Sequence, residues 1–266
     1  MRRPLTRLHD AERTADHAVV AEEVPVALAY DGRPYAVMMA TPADLEDFAV
    51  GFTVTEEIAE SPEQIRNLSV TRHAQGVEVN LTLNDDAAGH LADRRRTLVG
   101  QAGCGLCGVE TIQEAMREPR QIPPGPTFRV DTLWRAAKEL PGLQVLNGET
   151  RAVHAAAWVT MDGRPDIVRE DVGRHNALDK VLGALVRSGR DPADGFAMVT
   201  SRASYELVLK AAVVGVRMLA AVSRPTGLAI RLAEASGLTL VALLRGRDAN
   251  VYAHPERLAE DNRVVG

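Results

Sequence analysis

Between residues 195 and 245 the chain alternates apolar runs with helix-patterned segments, and few folds tolerate that pattern. Phe196-Ala197-Met198-Val199-Thr200, Val216 to Val222 and Leu238 to Leu244 are strand-length runs with little polar alternation, as expected of strands buried on both faces. Helical spacing fills the gaps, from Tyr205 to Val214 and from Leu228 to Ala235. Strand, helix and parallel strand join by a right-handed crossover. All three strands then end on one edge, each beside a polar turn: Ser201-Arg202-Ala203-Ser204, Ser223-Arg224-Pro225-Thr226-Gly227 and Arg245-Gly246-Arg247. Open α/β sheets bind ligands at that carboxyl edge. Arginine forks, hydroxyls and helix N-termini suit phosphate groups. Arg202, Arg224 and Arg245 at equivalent places therefore predict a ligand with several phosphates, a nucleotide or a nucleotide-bearing cofactor. Neither a P-loop nor a G-x-G-x-x-G is present, which argues against the ordinary NTPase and dinucleotide readings.

A second polar cluster lies upstream, in Glu170-Asp171-Val172-Gly173-Arg174-His175-Asn176-Ala177-Leu178-Asp179-Lys180. Leu178, Val181, Leu182, Leu185 and Val186 follow at helical spacing, and Gly189 ends the pattern. Capping needs one or two polar residues, and this stretch has Asp171, Arg174, His175, Asn176, Asp179 and Lys180 besides Glu170. Gly173, Arg174, His175 and Asn176 are therefore candidates for a ligand at the helix N-terminus, together with Arg202 and Ser204.

Both cysteines sit in Gly100-Gln101-Ala102-Gly103-Cys104-Gly105-Leu106-Cys107-Gly108-Val109. A structural Cys behaves as a small buried hydrophobe and needs no such setting. The glycines leave the loop bare of side chains and free to swing. Val109, Ile112 and Met116 predict a helix starting near Cys107, and a thiol at a helix N-terminus is favoured as the nucleophilic thiolate. Cys104 and Cys107 are the candidate reactive pair.

The rest of the chain frames these motifs. Residues 1–17 are charged throughout and read as a flexible tail. Residues 18–122 read as an α+β domain. It holds a hairpin about Asp31-Gly32, a helix opened by Thr41 as cap with Pro42 at its first position, and a second hairpin turning near Gln75-Gly76. Residues 123–126, within Gln121-Ile122-Pro123-Pro124-Gly125-Pro126, read as a linker, and residues 127–266 as a second, α/β domain beginning with a helix capped by Asp131. A formal charge of −5, from 31 basic and 36 acidic residues, gives no bulk attraction to nucleic acid or membrane. Two cysteines in 266 residues are not a disulfide scaffold, and neither a membrane span nor a signal peptide is evident. The cytoplasm, where thiols stay reduced, is the expected compartment.

Four pieces in this order resemble the formate dehydrogenase accessory sulfurtransferase family, FdhD: Gly103 to Gly108, the Glu170–Lys180 segment, Arg202-Ala203-Ser204-Tyr205-Glu206, and Arg245-Gly246 followed by Asn250-Val251-Tyr252. The resemblance runs from about Val24 to the C-terminus. It implies a homodimeric sulfur carrier that takes sulfur from a cysteine desulfurase. The carrier passes it, by a persulfide, to the molybdenum or tungsten bis(molybdopterin guanine dinucleotide) cofactor before insertion into formate dehydrogenase. It implies a C-terminal three-layer αβα domain like the cytidine deaminase fold, with GDP as a cofactor mimic. Carried over residue by residue, Cys104 matches the persulfide-bearing cysteine. Leu243, Leu244, Arg245, Gly246, Arg247 and Asp248 match the segment assigned to the cofactor. Thr200-Ser201 and Ser223-Arg224-Pro225-Thr226-Gly227 depart from the familiar pattern, so Arg224 is not carried over.

The deaminase-like fold raises a rival, a zinc-dependent nucleobase deaminase. That chemistry needs His or Cys two residues before a catalytic Glu, then Pro-Cys-x-x-Cys. Here Ala102-Gly103 precede Cys104, and the H-x-E at His254-Pro255-Glu256 lies far downstream and reads as a cap and first turn. Structural zinc would have to recruit two of His73, His90, His154 and His175 without local spacing. No metal ligand is therefore assigned. A chaperone that binds cofactor without moving sulfur is the non-enzymatic alternative.

Overall fold

A computed structural model describes residues 1–10, 12–92 and 120–259. Strands β1 (Arg2–His9) and β2 (Glu12–Val19) form an antiparallel hairpin where a flexible tail was expected. Its charges hid the strands: Arg7 and Asp16 reach across it at 2.5 Å, and opposed charges can support a pair that has no core beneath it.

The next sheet has the order β4-β3-β6-β5. β3 (Val24–Tyr30) and β4 (Arg33–Ala40) turn at Asp31-Gly32, both with positive φ, which is the predicted hairpin. β5 (Ile65–His73) and β6 (Gly76–Leu83) form the second. Val77, Val79, Leu81 and Leu83 alternate inward from β6 and pack with Phe48 and Phe52 of α1 (Leu45–Thr55). Helix α1 starts three residues later than the capping pattern suggested. Asp44, in the left-handed region, occupies the cap, and Thr41 is buried with its N–H donating to the Asp171 carboxylate at 2.9 Å. The hydroxyl that would cap the helix instead accepts from the Val172 N–H at 3.2 Å. Residues 85–92 are helical and form α2.

Residues 120–127 have no regular structure, and the segment expected as a linker lies among them. Ile122 is buried, its N–H donating to Ser236 O, and Gly125 lies against the Arg217 side chain. After β7 (Phe128–Arg129), α3 (Val130–Leu143) starts one residue before the expected cap, so Asp131 sits inside its first turn and pairs with Arg129 at 2.7 Å. Then come α4 (Val145–Thr150), β8 (His154–Thr160), β9 (Pro165–Asp171) and α5 (Arg174–Arg187). The alternating pattern follows as β10 (Gly195–Val199), α6 (Tyr205–Val214), β11 (Met218–Ala221), α7 (Gly227–Ser236) and β12 (Thr239–Arg245). It closes with β13 (Asp248–Ala253) and β14 (Leu258–Ala259).

The six-stranded sheet has the order β13-β12-β11-β10-β8-β9. β10, β11 and β12 are parallel, as the alternation required, and β8 and β13 flank them antiparallel. Ala197 and Val199 face one core with α5, α6 and α7, while Phe196 and Met198 face the other with Leu133 and Leu140 of α3. Two-sided burial makes this a three-layer αβα unit. The fold is mixed α/β.

Helix α1 from the first half lies directly on α5 from the second. A Cβ placed on Gly51 would stand 1.8 Å from the Asp179 carbonyl oxygen, and one on Gly183 1.9 Å from that of Asp47. Only glycine permits backbones this close. Around the crossing, Lys210 bonds Thr55 at 3.0 Å, Glu56 at 2.9 Å and Asp179 at 3.0 Å, and lies 5.3 Å from the Phe52 ring centre. Burial pushes the Asp179 carboxyl above its ordinary range, against the pull of Lys210.

Candidate functional site

The sheet order brings five chain segments to one edge. β10, β11 and β12 end there, and so does β9, while β8 begins there because it runs antiparallel to β10. Main-chain bonds tie the segments side by side beyond the strands. Thr200 N–H donates to Ala155 O at 3.0 Å, Thr226 N–H to Ala203 O at 3.0 Å, and Leu243 N–H to Ser223 O at 3.2 Å. The N-termini of α5, α6 and α7 open on this edge at Gly173, Ser204 and Thr226, so their free N–H groups add positive potential.

Arg202, Arg224, Arg245 and Arg247 are exposed here. Among the described residues their guanidinium groups make neither hydrogen bond nor ion pair. Arg174, on the first turn of α5, has a buried Nε without a partner, and the Ser204 Oγ is likewise buried and unbonded. Arginines away from the edge are commonly paired: Arg66 with Asp85, Arg129 with Asp131, Arg169 with Asp47, Arg190 with Asp166. Among the described residues these five arginines make the edge locally positive, against the chain's net charge of −5. His175 differs, because its Nε2 is 2.6 Å from Glu206 Oε2, and that bond holds the Glu206 carboxyl below its ordinary range.

The Leu243–Asp248 segment is the end of β12 and its turn into β13, with Arg245 opposite Asp248 and Gly246 at φ 58°. Leu243 also has positive φ, at 58°, inside a β-bulge. A leucine in that region costs about 1–2 kcal/mol, which the surrounding sheet must offset. The bulge re-aims the strand end at the edge. Leu244 packs into the core, so only its main chain is available to a ligand.

Asn176 is one of the expected ligand contacts. It is buried, and its amide donates to Met39 O at 2.9 Å and Asp171 Oδ1 at 3.0 Å. Asp171, fully buried, also binds Lys180 at 2.7 Å and the Gly173 N–H at 2.8 Å. Asp171, Asn176 and Lys180 thus shape the turn that presents Gly173, Arg174 and His175. A run of polar residues reads the same whether its side chains face solvent or one another. Cys104 and Cys107 lie outside the described residues. Among the described residues no three His, Asp or Glu side chains gather as a metal site, and no helix is long and apolar enough to cross a membrane.

The sequence profile described as the FdhD/NarQ family matches residues 21–259. The chain belongs to the FdhD/NarQ family. A relative from Cupriavidus necator, named Sulfur carrier protein FdhD, is 50% identical over 91% of this chain and 84% of its own length. One of the same name from Xanthomonas campestris is 47% identical over 95% and 90%. A crystal structure assigned as a formate dehydrogenase accessory protein, from Desulfotalea psychrophila, superposes with a TM-score of 0.76 at 25% identity, covering 97% of this chain and 99% of its own.

Sequence reasoning passed over two residues of the edge, His154 and Glu206. A lone histidine at a strand start carries no local signal. Glu206 was quoted only as part of a motif, although its place in the first turn of α6 marks it as N-terminal to a helix.

Proposed function

We propose that this chain is a sulfur carrier serving formate dehydrogenase, holding sulfur as a persulfide on Cys104. The reading is carried by 47–50% identity, over most of both chains, to proteins named Sulfur carrier protein FdhD. The Cys104 thiolate attacks the outer sulfur of a cysteine desulfurase persulfide. One S–S bond forms, the donor S–S bond breaks, and the donor leaves as thiolate. Cys107 then attacks Cys104 Sγ. The outgoing sulfur leaves at the sulfide level, the two thiols supply its two electrons, and a Cys104–Cys107 disulfide remains.

The acceptor is molybdenum or tungsten bis(molybdopterin guanine dinucleotide), bound as cargo. Its diphosphate groups suit the unpaired Arg174, Arg202, Arg245 and Arg247, the free Ser204 hydroxyl and the helix N-termini at Gly173 and Ser204. The Leu243–Asp248 main chain is available beside them. His175, 2.6 Å from Glu206, closes the site near α5. GDP is the simplest mimic. The working state is a cytoplasmic homodimer that meets both desulfurase and formate dehydrogenase, and light scattering of the pure protein tests the dimer.

Intact-protein mass after incubation with a desulfurase and cysteine tests the carrier. Wild type gains the mass of one sulfur atom and Cys104→Ala does not. Failure of wild type to load would leave the cofactor-binding chaperone as the better account.

A further inference from the structure

His154 opens β8 at the carboxyl edge, opposite Asp171 of β9. Its neighbour Ala155 is locked in place, its N–H donating to Thr200 Oγ1 at 2.9 Å. Burial, then the nearby charges of Arg174 and His175 on α5, push the His154 imidazole below the ordinary 6.5, while Asp171 pulls the other way. The Asp171 charge is already answered by Lys180 at 2.7 Å, and His175 Nε2 lies 2.6 Å from the Glu206 carboxylate. Arg174 is left as the uncompensated charge beside the ring. Its buried Nε and the buried Ser204 Oγ are two polar atoms with no partner. Buried polar atoms are normally bonded, and these two stand at the N-termini of helices joined by the His175–Glu206 contact, where an anion would complete them.

We propose that His154 is a further member of this site and takes up a proton from solvent as a diphosphate group binds between Arg174 and Ser204. The inference rests on the reading of the edge as a nucleotide-diphosphate site. Without ligand, a second cation next to Arg174 is unfavourable and the ring stays neutral. A diphosphate brings at least two negative charges into a partly desolvated place. It reverses the local field, and protonation becomes favourable. The imidazolium then supplies one more charge-assisted donor to the bound anion. The sequence alone offers no such device, because Arg174, Ser204 and His154 meet only through the sheet.

The proton resonances of the His154 ring are followed by NMR across pH in the full chain, free and with GDP or guanosine. With GDP the midpoint rises by about one pH unit, and guanosine leaves it unchanged. Calorimetry in two buffers of different ionisation enthalpy reads proton uptake on GDP binding, which His154→Gln abolishes while its melting temperature stays close to wild type. If GDP does not bind at all, the diphosphate reading of the edge falls and takes this inference with it. If GDP binds while the His154 midpoint stays fixed, or guanosine moves it equally, the inference is overturned and the site survives. The wild-type titration decides the matter even if the variant folds poorly.

Discussion

Substituting Gly51 by alanine should be among the most damaging single-methyl additions in this protein. The new Cβ would stand 1.8 Å from Asp179 O, 2.6 Å from its carbonyl carbon and 2.9 Å from Gly183 N. A carbon–oxygen contact needs about 3.3 Å, so α1 and α5 must part by about 1.5 Å. All three obstructing atoms are main chain, so no side chain can swing away. Overpacking of this kind costs about 1–3 kcal/mol. Parting the helices also draws Thr55 and Glu56 away from Asp179 and Lys210, which now bond at 2.7–3.0 Å. A buried ion pair that loses support adds to the loss, for a total of about 3–5 kcal/mol. The intrinsic helix preference for alanine returns only about 1 kcal/mol. Equilibrium urea unfolding measures the difference, with Gly148→Ala as control because a Cβ there meets open space. The control should match or slightly exceed wild type. Gly183→Ala should resemble Gly51→Ala, and the double variant should lose less than the sum, since either methyl alone parts the helices. A Gly51→Ala midpoint equal to that of the control would refute the close crossing.

Further outcomes follow from the same structure. Cys104→Ala should show no sulfur adduct by mass spectrometry under conditions that load wild type, whereas Cys107→Ala should still load but fail to release sulfide. Arg202→Ala and Arg245→Ala should each weaken GDP binding by about 1.5–3 kcal/mol, read by calorimetry, and unchanged affinity in both would remove the edge as the site. Lys180→Met should destabilise the fold by about 3–5 kcal/mol, because the fully buried Asp171 loses its counter-charge; a melting temperature near wild type would contradict that burial. Glu206 is held below its ordinary 4.5 first by its bond to His175, so its contribution to stability is present above that value and lost as pH falls through the folded-state pKa. Thermal melting below pH 4.5 should therefore fall more steeply for wild type than for Glu206→Gln, and parallel curves would show that the pair contributes nothing.

Periodicity and turn chemistry determined much of this protein. Unbroken apolar runs joined by helical spacing made β10, β11 and β12 parallel, and parallelism alone put Arg202, Arg224 and Arg245 on one edge. Asp31-Gly32 carried its hairpin because both residues tolerate positive φ. What depended on distant partners was not legible. Thr41 looked like a helix cap until Val172, 131 positions away, claimed its hydroxyl. That the Asn176 amide meets Met39 O, 137 positions away, has no trace in its neighbourhood. Gly51 and Gly183 carry no turn signal, since their role is to let two helices touch and neither sequence neighbourhood records the other helix. Local pattern reports which face of an element is apolar. Which carboxylate, carbonyl or backbone meets that face is settled by tertiary packing, where a buried polar group takes whatever partner the fold brings within reach.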